Sequence, residues 1–162
     1  MTMLKGIPRN IPPQLLYQLA CMGHGDTIVL GDANFPADSI GRADPRADVI
    51  RCDSMNATEL LQAILTLMPI DRYTDTPVAV MQVVPSDRAK GLQTPAVWDE
   101  YKRILKDNEH REIDLEQVER FEFYERAKKA FCVVATGEAA LYGNLILTKG
   151  VLGPTVVEQI NV

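Results

Sequence analysis

A short apolar stretch, residues 27–30, carries polar residues at both of its ends. His24 and Asp26 precede it in a glycine-rich segment, and Asp32 and Asn34 follow it. The stretch is β-branched and apolar, which predicts a short buried strand. Histidine titrates near neutrality and carboxylates hydrogen-bond to hydroxyl groups, so this pattern is typical of a site that binds a polar ligand and moves a proton.

The same residues also allow a purely structural interpretation. Gly23 and Gly25 could end a helix and form a turn that leaves His24 exposed, while Asp26 and Asp32 could act as turn or capping residues. A Gly-His-Gly triplet has low specificity by itself, and it lacks the third glycine of a dinucleotide-binding fingerprint. Both interpretations stay open until the rest of the chain is considered.

Composition narrows the class of protein. The chain has 162 residues, of which 46% are hydrophobic and 24% are charged, and this predicts one globular domain over residues 1–162. The net charge of −5 and the pI near 5.0 argue against a nucleic-acid partner, because nucleic-acid-binding proteins carry a basic face. No apolar run is long enough to span a membrane, and the first residues do not form a signal peptide. We therefore expect a cytoplasmic protein with neither a nucleic-acid nor a membrane partner.

Residue types for metal binding and nucleophilic catalysis are scarce. Two histidines occur, His24 and His110, and the second lies in a polar segment that predicts an exposed loop. Three cysteines, Cys21, Cys52 and Cys132, are far apart and odd in number, which favours reduced thiols over a disulfide framework or a zinc site. The chain also lacks a phosphate-binding loop and a nucleophile elbow. We expect neither a metal nor a cofactor.

Helical patterns recur along the chain. Pro12 and Pro13 open a predicted helix that continues to Met22, with Gly23 as its C-terminal cap. Asn56 to Glu59 has the spacing of a capping box for a helix that ends at Pro69. Further helices are predicted at residues 94–105 and 118–131. Polar residues at 37–49 and 86–93 predict surface loops.

Buried strands alternate with these helices. Strands are predicted at residues 27–30, 49–51, 77–85, 132–135 and 145–147. The run between Pro77 and Pro85 is apolar throughout, as in a strand buried on both faces. Alternation of helices with such strands predicts an α/β fold, a three-layer α/β/α arrangement with a mixed, largely buried sheet. Trp98 and Tyr101, three residues apart on a helix, are interpreted as core residues, and stacking against a sugar is the alternative.

Six segments, taken together and in their order along the chain, indicate a family: Met22–Asp26, Asp32–Pro36, Pro85–Asp87, Gly91–Pro95, Arg120–Ala127 and Leu141–Leu145. They resemble the signatures of the fucose mutarotase and ribose pyranase family, and the resemblance extends from Leu4 to about Leu152. The L-fucose branch is the nearer one, because the ribose-specific branch has a histidine where this chain has Arg120.

The resemblance implies an isomerase that needs no cofactor. Its reaction would interconvert the α and β anomers of L-fucose by acid–base ring opening, and exchange between the pyranose and furanose forms of D-ribose is left open. In that family the histidine of the Gly-His-Gly-Asp motif donates a proton, which implies this role for His24. The sugar contacts of the family fall on Asp32, Arg120, Tyr142, Gly143 and Asn144.

Two further points follow from the sequence and the resemblance. A non-catalytic monosaccharide-binding protein that assists sugar uptake is the alternative function, because the same pocket could bind a sugar without moving a proton. The resemblance also implies a homo-oligomer with active sites at subunit boundaries, and a ring of ten subunits is preferred over a dimer. A long loop at residues 41–48 and the tail beyond Leu152 depart from the family pattern, and both bear on subunit packing.

Overall fold

A computed structural model describes residues 4–43 and 48–153 of the chain. This part of the chain contains six helices and six strands. They are α1 (Pro13–Cys21), β1 (Thr27–Gly31), α2 (Ala37–Gly41), β2 (Asp48–Cys52), α3 (Ala57–Leu65), β3 (Val78–Met81), α4 (Pro85–Ala89), α5 (Ala96–Glu109), β4 (Glu116–Val118), α6 (Arg120–Ala127), β5 (Cys132–Thr136) and β6 (Leu145–Thr148).

The strands form one mixed sheet in the order β2-β5-β1-β6-β3-β4. β5 pairs in parallel with β1 and β2, and β3 pairs in parallel with β4. β6 is antiparallel to both of its neighbours, β1 and β3. Five strands therefore run in one direction, and β6 runs against them. One end of the sheet, where those five strands finish and β6 starts, is called the carboxyl edge here, and the opposite end is called the amino edge. Both names refer to the ends of the strands and not to the outer strands β2 and β4.

Helices cover both faces of the sheet, which confirms the predicted three-layer arrangement. On one face, α1, α3 and α5 contribute Leu15, Leu61 and Leu105 to the larger apolar cluster. On the other face, α2 and α6 contribute Ile40 and Phe123 to a second cluster. Successive strand residues point to opposite faces, so both sides of the central strands are buried, as their apolar sequences predicted.

The capping box at the start of α3 is confirmed. The Asn56 side-chain oxygen accepts a hydrogen bond from the backbone N–H of Glu59 at 2.8 Å. The Glu59 carboxylate accepts in return from the backbone N–H of Asn56 at 3.4 Å. Two N–H groups that lack partners within the helix are thereby satisfied. The helix ends at Leu65, short of the Pro69 that the sequence predicted.

Two segments predicted as loops contain short helices. α2 lies within the polar segment 37–49, where Ala37 and Ile40 pack against the sheet. α4 begins at Pro85, a residue well suited to the first turn of a helix, and extends into the segment 86–93. Each helix has five residues, which is too short for a helical repeat to stand out from the surrounding polar residues.

The helix predicted over 118–131 is also shorter than expected. Residues 116–118 form β4 instead, because Val118 is buried in the second cluster and pairs with Met81 of β3. Within α6, Phe123 is fully buried whereas Phe121 is 62% exposed. Among the described helices, none combines the length and apolar character of a membrane span. Part of the 41–48 loop and most of the tail lie outside the described residues.

Removal of the α3 cap should lower stability without changing the fold. We expect Asn56→Ala to reduce the free energy of unfolding by about 1 kcal/mol, because alanine cannot accept the Glu59 N–H hydrogen bond. Asn56→Asp keeps an acceptor oxygen and should stay close to the parent. Urea unfolding measures both variants, and equal stability of Asn56→Ala and the parent would show that the capping box contributes nothing measurable.

Candidate functional site

Asp32 and Asn144 are joined by two hydrogen bonds at the carboxyl edge. Leu30 near the end of β1 pairs with Leu145 at the start of β6, which places the following Asp32 beside the preceding Asn144. The backbone N–H of Asp32 donates to the Asn144 side-chain oxygen at 2.8 Å. The Asn144 amide nitrogen donates to Asp32 Oδ2 at 2.9 Å. Both side chains are buried, so the pair fixes the ends of two strands relative to each other.

Burial dominates the electrostatics of Asp32. Loss of water raises the pKa of its carboxyl, while hydrogen bonds from the Asn34 backbone N–H and the Asn144 amide lower it, and the net result is a raised pKa. The Asn34 N–H donates to Oδ1 at 2.9 Å. The buried Asp32 carboxylate therefore accepts hydrogen bonds from uncharged donors. No arginine or lysine is among the causes of its pKa shift.

Two aromatic side chains of α5 hold the backbone that leads into β6. The Trp98 indole N–H donates to the Tyr142 carbonyl at 2.9 Å, and the Tyr101 hydroxyl donates to the Gly143 carbonyl at 2.8 Å. Trp98 and Tyr101 are buried, which confirms their interpretation as core residues. Tyr142 itself has a φ of 62°, a backbone conformation that is rare for a residue other than glycine. The α5 contacts thus keep a strained segment in place.

A buried carboxylate that the sequence analysis missed, Glu138, braces the same region. Its side chain accepts from the backbone N–H groups of Ala140 at 2.9 Å and Ala57 at 3.3 Å, and its carbonyl accepts from Ala33 at 2.8 Å. A Cβ atom on Gly143 would lie 2.7 Å from Glu138 Cγ, so this position needs glycine. Nothing in the sequence near Glu138 marks these contacts, because their partners are spread over the whole chain.

Arg120 begins α6 at the carboxyl edge. The preceding Glu119 carboxylate accepts from the Phe121 backbone N–H at 2.7 Å and caps the helix. The Arg120 guanidinium is exposed, lies 4.7 Å from the centre of the Phe121 ring, and is near enough to Tyr142 to favour its ionised form. Burial and the Asp87 carboxylate act in the opposite direction, and they raise the pKa of Tyr142.

A cavity of about 400 Å³ opens next to Arg120. Val84, Pro85 and Arg88 line one side, and Glu119 and Arg120 line another. This volume is within the range of small-molecule sites, which run from roughly 300 to 1,000 Å³. The carboxyl edge thus combines a concave surface with carboxylate, amide and guanidinium groups, which suits recognition of a ligand with many hydroxyl groups.

His24 lies at the amino edge, away from these residues. Its Nε2 is 3.0 Å from Asp71 Oδ1, and its ring makes an edge contact with Tyr73 at a centroid distance of 5.4 Å. The His24 side chain is 46% exposed. The five residues of β1 separate His24 from Asp32, a span of roughly 15 Å at the usual rise per strand residue. One chain therefore brings together Asp32, Arg120, Tyr142, Gly143 and Asn144 but not His24.

The turn that carries His24 is held by side chains rather than by a glycine cap. α1 ends one residue before Met22, which is extended, so Gly23 is not the C-terminal cap that the sequence predicted. The Lys149 ammonium group donates to the carbonyls of Leu19 at 2.9 Å and Met22 at 2.6 Å. The Asp26 carboxylate accepts from the Gly23 N–H at 2.6 Å.

Asp71, the partner of His24, was not found from the sequence. Burial of the Asp71 carboxyl opposes ionisation, but the N–H groups of Tyr73 and Arg72 and the His24 ring outweigh it, so its pKa is lowered. Arg111 donates to the Asp71 carbonyl at 2.7 Å. Asp71 lies 47 residues from His24 in a segment without a motif, so no local pattern indicates the pair.

Two further features concern metal-ligating side chains and the cysteines. Within residues 4–43 and 48–153, no three histidine, cysteine, aspartate or glutamate side chains are arranged as metal ligands. The two buried cysteines, Cys52 and Cys132, are reduced and lie in the core of the sheet.

Comparison with known proteins relates this arrangement to a family. A sequence model of the RbsD / FucU transport protein family matches residues 5–152. The fucose mutarotase of Homo sapiens is 59% identical over 152 residues, which cover 94% of this chain and 96% of that protein. The crystal structure of FucU from Bifidobacterium longum is 48% identical, with a TM-score of 0.85 and coverage of 92% of this chain and 100% of that one. The fucose mutarotase from Streptococcus pneumoniae, solved in complex with L-fucose, is 44% identical, with a TM-score of 0.82 and coverage of 93% and 100%.

The raised pKa of Asp32 predicts a pH dependence of stability. A carboxyl that is easier to protonate in the folded than in the unfolded state contributes stability below its unfolded pKa, near 4, and loses it as pH rises through the folded pKa. Asp32→Asn cannot ionise. We therefore expect the free energy of unfolding of the parent, relative to Asp32→Asn, to fall as pH rises from about 3.5 to 7.

Urea unfolding at a series of pH values gives this difference directly, because the other titrating groups are common to both proteins. A difference that instead grows in favour of the parent as pH rises would show that the hydrogen bonds from Asn34 and Asn144 overcome burial.

Proposed function

Because the chain belongs to the RbsD/FucU family, we propose that it is an isomerase that interconverts the α and β anomers of free L-fucose without a cofactor. The observation that carries this proposal is the likeness over nearly the whole chain to fucose mutarotases, at 59% identity to the human one and 44% to one solved with L-fucose. The fold supports the proposal further, because this chain and the structure solved with L-fucose superimpose with a TM-score of 0.82. At the carboxyl edge of that fold, this chain carries the buried Asp32–Asn144 pair.

The proposed sugar contacts are Asp32, Arg120, Tyr142, Gly143 and Asn144. A carboxylate accepts hydrogen bonds from hydroxyl groups, and an arginine fork donates two at a fixed angle, so the two together orient a sugar ring. Arg120 is exposed and lines the cavity of about 400 Å³, which supports a role in ligand binding rather than in the core. D-Ribose stays open as a second substrate.

Ring opening requires two proton movements. One group removes the proton of the anomeric hydroxyl as the bond from the anomeric carbon to the ring oxygen breaks, and another delivers a proton to that oxygen. The open-chain aldehyde then turns its other face and closes again. The net reaction changes only the configuration at the anomeric carbon, so no oxidant, reductant or cofactor is consumed.

We assign the proton transfer to His24. With Asp71 ionised, the hydrogen bond between Asp71 Oδ1 and Nε2 requires Nε2 to carry a hydrogen. Nδ1 is then the nitrogen that takes up or releases a proton. A histidine held in this way can act as a general acid or a general base. The buried Asp71 would hold the ring in this orientation through each cycle.

We further propose that the active protein is a homo-oligomer, with a ring of ten subunits as the first choice and a dimer as the second. His24 and the sugar contacts lie at opposite edges of the sheet, so a complete site needs the amino edge of one subunit against the carboxyl edge of another. Exposed apolar side chains at both edges support such a contact: Tyr73 is 77% exposed, Phe121 62% and Leu141 57%. Repeated head-to-tail contacts that close on themselves form rings.

The cytoplasm is the proposed location. Cys21, Cys52 and Cys132 are reduced, which is the usual state of cysteine in a reducing compartment.

Exchange NMR of the purified protein tests the proposed function. Saturation of one anomeric proton of L-fucose should transfer to the other anomer at a rate that rises with protein concentration, with D-ribose and D-galactose measured alongside. A protein that only binds the sugar would broaden or shift these signals without speeding the exchange, and that result would contradict the proposal.

Loss of the His24 imidazole should abolish most of the exchange while sparing binding. His24→Gln keeps hydrogen-bonding groups but cannot titrate, so we expect the rate to fall by up to the roughly 10²–10⁴-fold that acid–base catalysis supplies. The control is His110→Gln, because His110 is exposed at the end of α5 and should be dispensable. Exchange NMR measures the rate, and calorimetry with L-fucose measures binding. A His24→Gln variant as fast as the parent would remove His24 from the mechanism.

The oligomer proposal predicts a mass well above that of one chain. Multi-angle light scattering should give a stable multiple of 18.0 kDa, about tenfold for the preferred ring. A monomer of 18.0 kDa that still interconverts L-fucose anomers would contradict the shared site.

A further inference from the structure

α4 forms one wall of the cavity but has little apolar contact to hold it there. Val84, Pro85 and Arg88 line the cavity on this side, and none of the five residues of α4 is buried. Burial of apolar surface is the main stabilising contribution for most helices, and α4 lacks it. The chain returns to the core after the helix at Leu92, which packs against the larger apolar cluster.

Hydrogen bonds to other elements must therefore hold α4 in position. In the described part of the chain, the side chains of α4 make two such bonds beyond the neighbouring residues. Arg88 donates to the Gln117 side-chain oxygen at 3.1 Å on the exposed side. Asp87 Oδ2 accepts from the Tyr142 hydroxyl at 2.6 Å in a part-buried position. A short hydrogen bond from a hydroxyl to a carboxylate is among the stronger kinds in proteins.

The Tyr142 hydroxyl both donates and accepts a hydrogen bond. Its hydrogen is directed to Asp87, and its oxygen accepts from the Val84 backbone N–H at 3.4 Å. One side chain thus links the segment before β6 to the segment after β3. Since the hydrogen is engaged, the remaining lone pair of the oxygen can only accept a hydrogen bond, so a ligand hydroxyl that meets Tyr142 must act as the donor.

We propose that Asp87 is a positioning residue for sugar binding, which fixes the orientation of the Tyr142 hydroxyl and holds the α4 wall against the cavity. This inference rests on the proposed function, because it assigns the cavity and Tyr142 to the sugar. Asp87 need not touch the sugar. Its effect is transmitted through Tyr142, whose backbone is already fixed by Trp98.

A comparison of three variants tests this role. Asp87→Ala removes the acceptor and should raise the KM for L-fucose by about tenfold, the effect of losing one charge-assisted hydrogen bond, while kcat stays within about threefold of the parent. Asp87→Asn retains an oxygen that accepts from Tyr142 and should recover most of the lost affinity. Lys90→Ala, the control, removes the exposed ion pair with Asp87 at 3.3 Å and should leave KM within about twofold.

A double-mutant comparison isolates the contact. In a Tyr142→Phe background the hydroxyl is gone, so Asp87→Ala should raise KM by less than about twofold further. A tenfold rise in that background, or an unchanged KM for Asp87→Ala in the parent background, would overturn the proposal. If Asp87→Ala is insoluble, Asp87→Ser, whose shorter side chain cannot reach the Tyr142 hydroxyl, replaces it with and without Tyr142→Phe: a loss of affinity confined to the background with Tyr142 supports the role, and an equal loss in both backgrounds or no loss in either overturns it.

Binding measurements separate the test of Asp87 from the test of the proposed reaction. Calorimetry with L-fucose gives the Kd of each variant without any turnover. If the parent binds L-fucose but does not speed anomer exchange, the proposed function fails, while the Kd values of the same variants still decide the role of Asp87.

Discussion

The direction of β6 is the constraint on which the candidate site depends. Because this strand runs against its neighbours, the segment that precedes it arrives at the edge where β1, β3, β4 and β5 end. The double hydrogen bond between Asp32 and Asn144 fixes that meeting point, at 2.8 and 2.9 Å. Open α/β sheets bind ligands beyond the carboxyl ends of their strands, and here an antiparallel strand adds an asparagine and a tyrosine to that edge.

Burial of polar groups at this edge costs free energy, and hydrogen bonds from the surrounding elements offset that cost. Asp32 lacks a cationic partner among the causes of its pKa shift and depends on neutral donors, so its ionised form is less favourable than in water. α5 supplies Trp98 and Tyr101, which fix the two carbonyls before Asn144. Glu138 connects the same segment to the start of α3. The three-layer fold thus provides rigid support on the side away from the cavity, and the less buried α4 lies on the cavity side.

Elements with a strong local signal could be predicted from the sequence. The capping box at Asn56 follows from residue spacing, and β1, β3 and β5 follow from their apolar runs. The mixed three-layer sheet follows from the alternation of helices with buried strands. α2 and α4 could not be predicted, because five residues are too few for a helical period to stand out, and the three residues of β4 include only one apolar side chain, Val118. The proposed sugar contacts came from a family resemblance. Asp87 and Glu138, which hydrogen-bond to the region around them, depend on pairings across 55 and 81 residues that no local pattern encodes.

The separation of His24 from Asp32 by the length of β1 makes a shared site the central claim of this account. Co-expression of His24→Gln with Arg120→Ala subunits tests it, with exchange of L-fucose anomers measured by NMR at subsaturating sugar. If each site takes its histidine from one subunit and its arginine from another, random mixing should restore about one quarter of the parental rate, because that fraction of sites has both groups intact. Mixed oligomers whose rate does not exceed the average of the two variants would show that both groups act within one chain, contrary to the account.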